Sequence, residues 1–465
     1  MDNRQVDADV VVAGGGPAGA AAAIACATRG LRVCLLERSL FAQERPGETL
    51  HPGVEPLLAQ LGIGDRLGQV VGARHLGIWV EWGGPRRFKA FGADANGPWS
   101  GFQVWRADFD ALLLTRAREV GVEVRQPCKV IGTFPPDGAQ RGVITTDRPV
   151  TARMVVDATG RSRVLGRMRG VSGPARSPRL VACYGYAKGS CPVRDDAPAL
   201  VGDTSGWTWT ARVRPGIYQW TRLSFSGRID ADWMPEELRG LTVLTRSRGA
   251  DVTWRMAAEA ARPGWFMVGD AAATLDPTSS HGVLKAIMSG MMAGHLIGAV
   301  LAGKAPEDEA ARAYHDWVAR WFRADVVRLT EFYQDLGAPG FERKRSANAM
   351  AIGDITEPRV GFRMTRWLYG VCWTETERLG ALFERATAWL LAHKILLPGV
   401  TTLERFVVSV RARVEARLYQ LLTRGIQQKD QLQRLSLRPR PYVCCRHRPG
   451  RALCGPRLLA QSADP

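Results

Sequence analysis

Val10-Val11-Val12-Ala13-Gly14-Gly15-Gly16-Pro17-Ala18-Gly19, continued by the small-residue run Ala20 to Ala27, reads as a buried strand, a tight glycine turn and a helix. Each glycine has its own task. Gly14 permits the turn, Gly16 lets a pyrophosphate approach the backbone, and Gly19 lets the helix lie close on the strand, its N-terminus toward the anion. Pro17 and Ala18 open the helix. A second strand, Leu31 to Leu36, ends in Glu37, about 20 residues on, where an acidic side chain bonds a ribose hydroxyl. Arg38 follows it and is expected to join the binding set. The spacing marks a dinucleotide site without choosing between a nicotinamide and a flavin.

At 465 residues the chain exceeds what one hydrophobic core fills, so more than one lobe is expected. The formal charge of +18 comes from arginine spread along the chain, with no basic helix face or aromatic module for nucleic acid, so none is expected as a partner. Nine cysteines without paired spacing give no disulfide framework, and Cys444-Cys445 is not a zinc pattern. No metal is expected. A cytoplasmic location fits that cysteine usage and an N-terminus that runs straight into the first strand. Val283 to Gly303 is apolar enough for a membrane span, but Lys285, His295 and four glycines interrupt it. A helix packed inside the protein is expected instead.

Beyond the first strand–helix–strand unit the chain makes long excursions. Ala73 to Trp82 and Arg86 to Phe91 read as strands, Phe102 to Trp105 as another, and Asp108 to Val120 as a helix closed by Gly121. Met154 to Val156 runs into Asp157-Ala158-Thr159-Gly160, a second strand-to-turn junction. From Leu180 to Phe225 strands rich in aromatic residues, among them Trp207, Trp209 and Trp220, are expected to wall a pocket for an aromatic substrate. Trp265 to Asp270 returns to the nucleotide pattern. Ser279 or Ser280 is expected to cap a helix that starts near Gly282 and aims its N–H groups at a negatively charged ring edge.

Gly14, Gly16, Gly19 and Glu37, then Arg106, then Asp157 to Gly160, then Gly269-Asp270 resemble the FAD-contact motifs of the single-dinucleotide flavoproteins that include aromatic hydroxylases, flavin-dependent halogenases and geranylgeranyl reductases. The resemblance covers roughly the first 300 residues. It implies an α/β fold: a Rossmann-like FAD-binding domain (1–72, 101–171 and 255–305) interleaved with a mixed β-sheet substrate domain (73–100 and 172–254). Beyond it the residues themselves read as a C-terminal helical region (306–436) and, where arginine and proline abound without periodicity, a disordered tail (437–465). By that likeness Arg106 contacts the FAD diphosphate region and Asp270 the ribityl or phosphate portion, with Pro277, Gly282 and Val283 completing the cofactor set.

Pro46-Gly47-Glu48-Thr49-Leu50-His51-Pro52-Gly53 resembles the Gly-Glu-Ser motif near the flavin ring, which puts Glu48, Thr49 and His51 there as catalytic candidates, with His281 in the substrate pocket. Together with Asp276 to Val283 it looks most like the monooxygenases that mature tryptophylquinone enzymes, as in quinohaemoprotein amine dehydrogenase biogenesis. This implies hydroxylation of an aromatic substrate through a flavin hydroperoxide, including a peptidyl tryptophan in a precursor polypeptide, with NAD(P)H or a reductase as electron donor and O2 as oxidant. Halogenation, which calls for a lysine absent from Ala73 to Trp82 and a Trp-x-Trp-x-Ile-Pro motif broken here at Trp207 to Arg212, stays open. So do isoprenoid reduction and a non-catalytic FAD-bound assembly role.

Overall fold

The computed structural model describes residues 6–342 apart from 41–45, 83, 95–96, 136–139, 231, 246 and 280. The sequence expectations for residues beyond 342, further helices and a tail, lie outside the described residues.

The architecture is mixed α/β with a Rossmann-like core. Strand Ala8–Ala13 pairs in parallel with Val33–Leu36 on one side and with Pro149–Asp157 on the other. Glu123–Arg125 extends the sheet beyond Val33–Leu36, and Trp265–Met267 runs parallel to Pro149–Asp157. Parallel strands covered on both faces are apolar throughout, which is why the sequence shows unbroken runs of valine and leucine here. All these strands point the same way, so their carboxyl ends gather at one edge: Gly14, Glu37, Ala158 and Val268 follow directly from four of them. Open α/β sheets bind ligands outside that edge.

Helix Pro17–Ala27 and the long helix Gly282–Leu301 pack tightly beside this sheet. A Cβ at Gly290 would sit 2.2 Å from the Ala18 carbonyl oxygen, and one at Gly294 2.6 Å from the Ala25 Cβ. The glycines of the apolar helix therefore serve close approach to an alanine-rich partner. By length and composition Gly282–Leu301 passes for a membrane span, yet most of it is buried inside the protein.

The second large sheet runs in the order Thr242–Val243, Val181–Lys188, Ile217–Ser224, Gly206–Arg214, Ala199–Asp203, Gly77–Trp82, Arg87–Ala90, with Arg248–Asp251 also alongside Val181–Lys188. It is antiparallel except where Ala199–Asp203 meets Gly77–Trp82. Two boundaries differ from expectation. The stretch Ala73 to Trp82 is two strands, Val71–His75 and Gly77–Trp82, which belong to different sheets. The third helix spans Arg106–Glu119, so Arg106 is its first residue, where it can reach Asp110 one turn on. Another long helix, Glu307–Asp335, follows Gly282–Leu301.

Candidate active site

A cleft of ≈ 850 Å³ starts at the carboxyl edge of the parallel sheet and reaches the aromatic sheet. At its nucleotide end Gly14 has φ +108°, and a Cβ there would lie 2.3 Å from the Ala158 carbonyl oxygen. A Cβ at Gly19 would be 1.9 Å from the Gly14 oxygen, which makes Gly19 a packing residue behind the wall. Gly16 differs from both, since a Cβ there would meet nothing within 4 Å. That space is in the cleft, beside a helix N-terminus that no side chain caps, and it fits a pyrophosphate.

Glu37 is buried. Its carboxylate accepts from the Gly15 N–H (2.8 Å) and the Ser39 N–H (3.0 Å), so both oxygens are held in fixed directions at the cleft edge. A carboxylate fixed at that edge suits ribose hydroxyls as donors. Arg38 and Gly160 also line the cleft. Asp157 does not. Its carboxylate accepts from the Thr159 N–H, the Thr159 hydroxyl and the Gly166 N–H, and so fastens the turn that carries Ala158 to Gly160.

Further along, Arg106 holds Asp110 through Nε and Nη2 (3.0 Å each) and donates Nη1 to the Pro46 carbonyl (2.8 Å). This orients its guanidinium in the cleft wall and fixes the loop before Glu48. Gly269 (φ +59°) packs on Ala18, and its N–H donates to Ser289 Oγ. Burial raises the Asp270 carboxyl above its usual range, opposed by the charges of Arg161, Arg106 and Arg163. The side chains of Ser279 and Ser280, expected to cap the next helix, lie outside the described residues. The N-cap position falls at His281, whose own side chain makes no cap, and Gly282 and Val283 line the cleft.

Glu48 is buried where the two halves of the cleft meet. It accepts from the Gly47 N–H (2.8 Å) and from the Tyr186 hydroxyl, and burial pushes its carboxyl up to about 7 against the pull of Tyr186 and Arg106. It is thus poised to hold or release a proton near neutrality. Thr49 donates to Gln103 Oε1 (3.0 Å). The two histidines are a correction: neither lines the cleft. His51 Nδ1 accepts from the Gly53 N–H (3.0 Å), capping the turn Pro52–Val54, and its ring lies 5.0 Å from that of His281. Burial lowers both imidazoles.

The aromatic wall follows from strand alternation. Tyr184, Thr221 and Trp209 are cross-strand neighbours, as are Ala182, Leu223 and Trp207, and both rows lie on one face of the sheet. Trp207, Trp209, Tyr184, Gln219 and Thr221 line the cleft. Trp220, offered by its sequence as a wall residue, falls between Gln219 and Thr221 and therefore points to the opposite face. There it stacks edge-on with Trp233, in a separate apolar cluster with Cys191, Tyr218 and Leu238.

Lys285 is the residue that sequence reading passed over as a break in an apolar run. One turn into helix Gly282–Leu301, it lines the cleft, pairs with Asp325 of helix Glu307–Asp335 and sits 4.8 Å over the Trp321 ring. Burial lowers its ammonium, opposed by Asp325. The available signal was its place in the first turn of a helix already expected to face the cofactor.

The family model described as FAD dependent oxidoreductase matches residues 9–42, and a domain of unknown function, DUF4158, matches residues 347–410. A tryptophan 2-halogenase from Chondromyces crocatus is 28% identical over 366 residues, covering 70% of this chain and 67% of the relative. The flavin-dependent halogenase armH3 from Armillaria mellea is 27% identical over 354 residues, covering 66% and 70%. Among solved structures, the myxobacterial chondrochloren halogenase CndH, an FAD-dependent halogenase, superposes with a TM-score of 0.65 at 27% identity, covering 78% of this chain and 90% of that one. The chain thus carries an FAD-dependent oxidoreductase domain, has flavin-dependent halogenases as homologues and is an enzyme of the FAD-dependent oxidoreductase type. The tryptophylquinone-maturation resemblance finds no support in these relatives.

Proposed function

We propose that this FAD-dependent oxidoreductase halogenates an electron-rich aromatic molecule, using O2 and electrons delivered through NAD(P)H or a reductase. One observation carries the reading: a single cleft contains the nucleotide cradle, a buried amine at Lys285 and the aromatic wall of Tyr184, Trp207 and Trp209. FAD, when bound, supplies the redox chemistry with oxygen. Gly16, Glu37 and the N-terminus of helix Pro17–Ala27 would hold its polar parts, with Gly282 and Val283 beside them. Lys285 offers an ammonium that orients an oxidised halide species toward the ring, while the indole and phenol faces bind a planar substrate and exclude water. Glu48, hydrogen-bonded to Tyr186, stores a proton beside them. The halogenase relatives support this assignment over the others.

Hydroxylation is the second reading. It is favoured by the Lys285–Asp325 ion pair, which occupies the amine, and by the broken Trp-x-Trp motif at Trp207. Isoprenoid reduction fits less well, because Gln219 and Thr221 put polar groups in the wall. The test supplies FAD, a flavin reductase with NADH, O2, chloride or bromide, and phenol, pyrrole and indole probes. A product with the halogen isotope pattern is expected. Oxygen insertion alone, unchanged by either halide, would overturn halogenation in favour of hydroxylation.

A further inference from the structure

We propose that Tyr333 is a redox-active tyrosine that drains oxidising equivalents from the cleft, taking them from Trp207 in the wall and passing them to Trp82 nearer the surface. The inference rests on the FAD reading, because reduced flavin and O2 are the source of the oxidant.

The hydrogen bonds around Tyr333 take one direction when Asp276 is ionised. Trp207 Nε1 can only donate, and it donates to the Tyr333 oxygen at 3.0 Å. Thr278 Oγ1 donates its one proton to Asp276 Oδ1. With Asp276 ionised, the 2.8 Å bond between Thr278 and Tyr333 is donated by the phenol, which also lies against the Asp276 carboxylate. The result is a one-way chain, Trp207 N–H to Tyr333 O–H to Thr278 O–H to the Asp276 carboxylate, in which Trp207, Tyr333 and Asp276 are all buried. Trp254 Nε1 also donates to Asp276, at 2.5 Å. On the other side the Tyr333 ring lies 6.2 Å from that of Trp82, which is partly exposed and in edge contact with the exposed Phe332.

Oxidation balances along this chain. A peroxide-derived radical in the cleft takes one electron from Trp207, and Trp207 recovers it from the Tyr333 phenol. As the phenol O–H bond breaks, its proton goes to Thr278 Oγ1 while the Thr278 proton bonds to Asp276. The products are a neutral phenoxyl radical, held by the Trp207 N–H, and a carboxylic acid. Trp82 then returns one electron to Tyr333, the two protons move back, and a soluble thiol reduces Trp82.

A second aromatic series starts at the same cleft, with Trp321 6.3 Å from Trp317 and Trp317 5.9 Å from Tyr314. It is poorly suited to the task. The Lys285 ammonium 4.8 Å from the Trp321 ring opposes a positive hole there, and the Tyr314 hydroxyl donates to the Met267 carbonyl, which is too weak a base to keep a proton.

The test excites the purified holoprotein with blue light, making bound flavin the oxidant, after its visible absorbance has recorded loading. Protein that takes up no flavin overturns the FAD reading and the relay with it. A loaded wild type is expected to give a phenoxyl band and its electron paramagnetic resonance signal, with oxygen added to Trp82 by peptide mass spectrometry. Tyr333→Phe should abolish the signal and move the oxidation to Trp207. Thr278→Val, which keeps Tyr333 but removes its proton acceptor, should cut the yield about tenfold, the worth of one buried hydrogen bond. An unchanged phenoxyl signal in either variant, or Trp82 oxidised equally in wild type and Tyr333→Phe, would overturn the relay.

Discussion

The two ends of the cleft are built from different materials. The nucleotide end is backbone: a glycine with φ +108°, a second glycine with open space above it, an uncapped helix N-terminus, and one carboxylate that accepts from two N–H groups. The aromatic end is side chain, a phenol and two indoles on a sheet face together with one lysine from a helix. A backbone site admits few substitutions and keeps its ligand. A side-chain site changes ligand whenever a strand face is rewritten, so related folds can share a cofactor and differ in substrate.

The contrast predicts where mutations bite hardest. Gly14→Val puts a branched side chain into the Ala158 carbonyl at positive φ, and should cost more than about 4 kcal/mol, giving protein without flavin and with a collapsed melting transition. Intact melting with full flavin content would break the comparison at its stronger end.

Where the two ends meet, Glu48 predicts a pH effect. Its carboxyl stands at about 7 in the folded protein against an ordinary 4.5, so the folded state holds the extra proton. The stability it contributes is fully present below 4.5 and is lost as pH rises through about 7. Glu48→Gln removes that slope. Denaturant titrations at several pH values should find the wild type losing on the order of 3 kcal/mol relative to the variant across this window. Parallel pH curves would refute a proton-holding Glu48.

At the side-chain end Lys285→Met should lower halogenation about 100-fold while flavin binding and NAD(P)H oxidation persist. Unchanged product formation would remove the lysine from the reaction. The smallest effects separate the two faces of the aromatic sheet. Trp209→Phe should raise KM about tenfold with kcat little changed, since it trims binding common to ground and transition states. Trp220→Phe should lower Tm and leave KM alone, and a KM shift there would contradict the register.

Legibility in the sequence followed the same division. Gly14, Gly16, Gly19 and Glu37 were readable because each is required by a backbone geometry that few other residues satisfy. Trp220 was misplaced because aromatic content does not say which face a strand turns to the cleft, and one residue of register exchanges the two. Asp157 and His51 have the right chemistry, but the Asp157 carboxylate and His51 Nδ1 are spent on the turns they hold. Lys285 went unread because a lone charge in an apolar helix looks like an imperfection until Asp325, 40 residues away, is seen beside it. Tyr186 could be seen as part of an aromatic strand, but its bond to Glu48 joins positions 138 residues apart.

The most direct test of the account is an FAD titration of wild type and Gly16→Ala, followed by flavin fluorescence, with the melting temperature of each flavin-free protein taken in parallel. Because a Cβ at Gly16 would touch no protein atom within 4 Å, the two flavin-free proteins should melt alike, while the variant binds FAD about 100-fold more weakly, its methyl standing where the pyrophosphate belongs. Equal FAD affinity, or no FAD binding by the wild type, would contradict the claim that this cleft is a dinucleotide cradle.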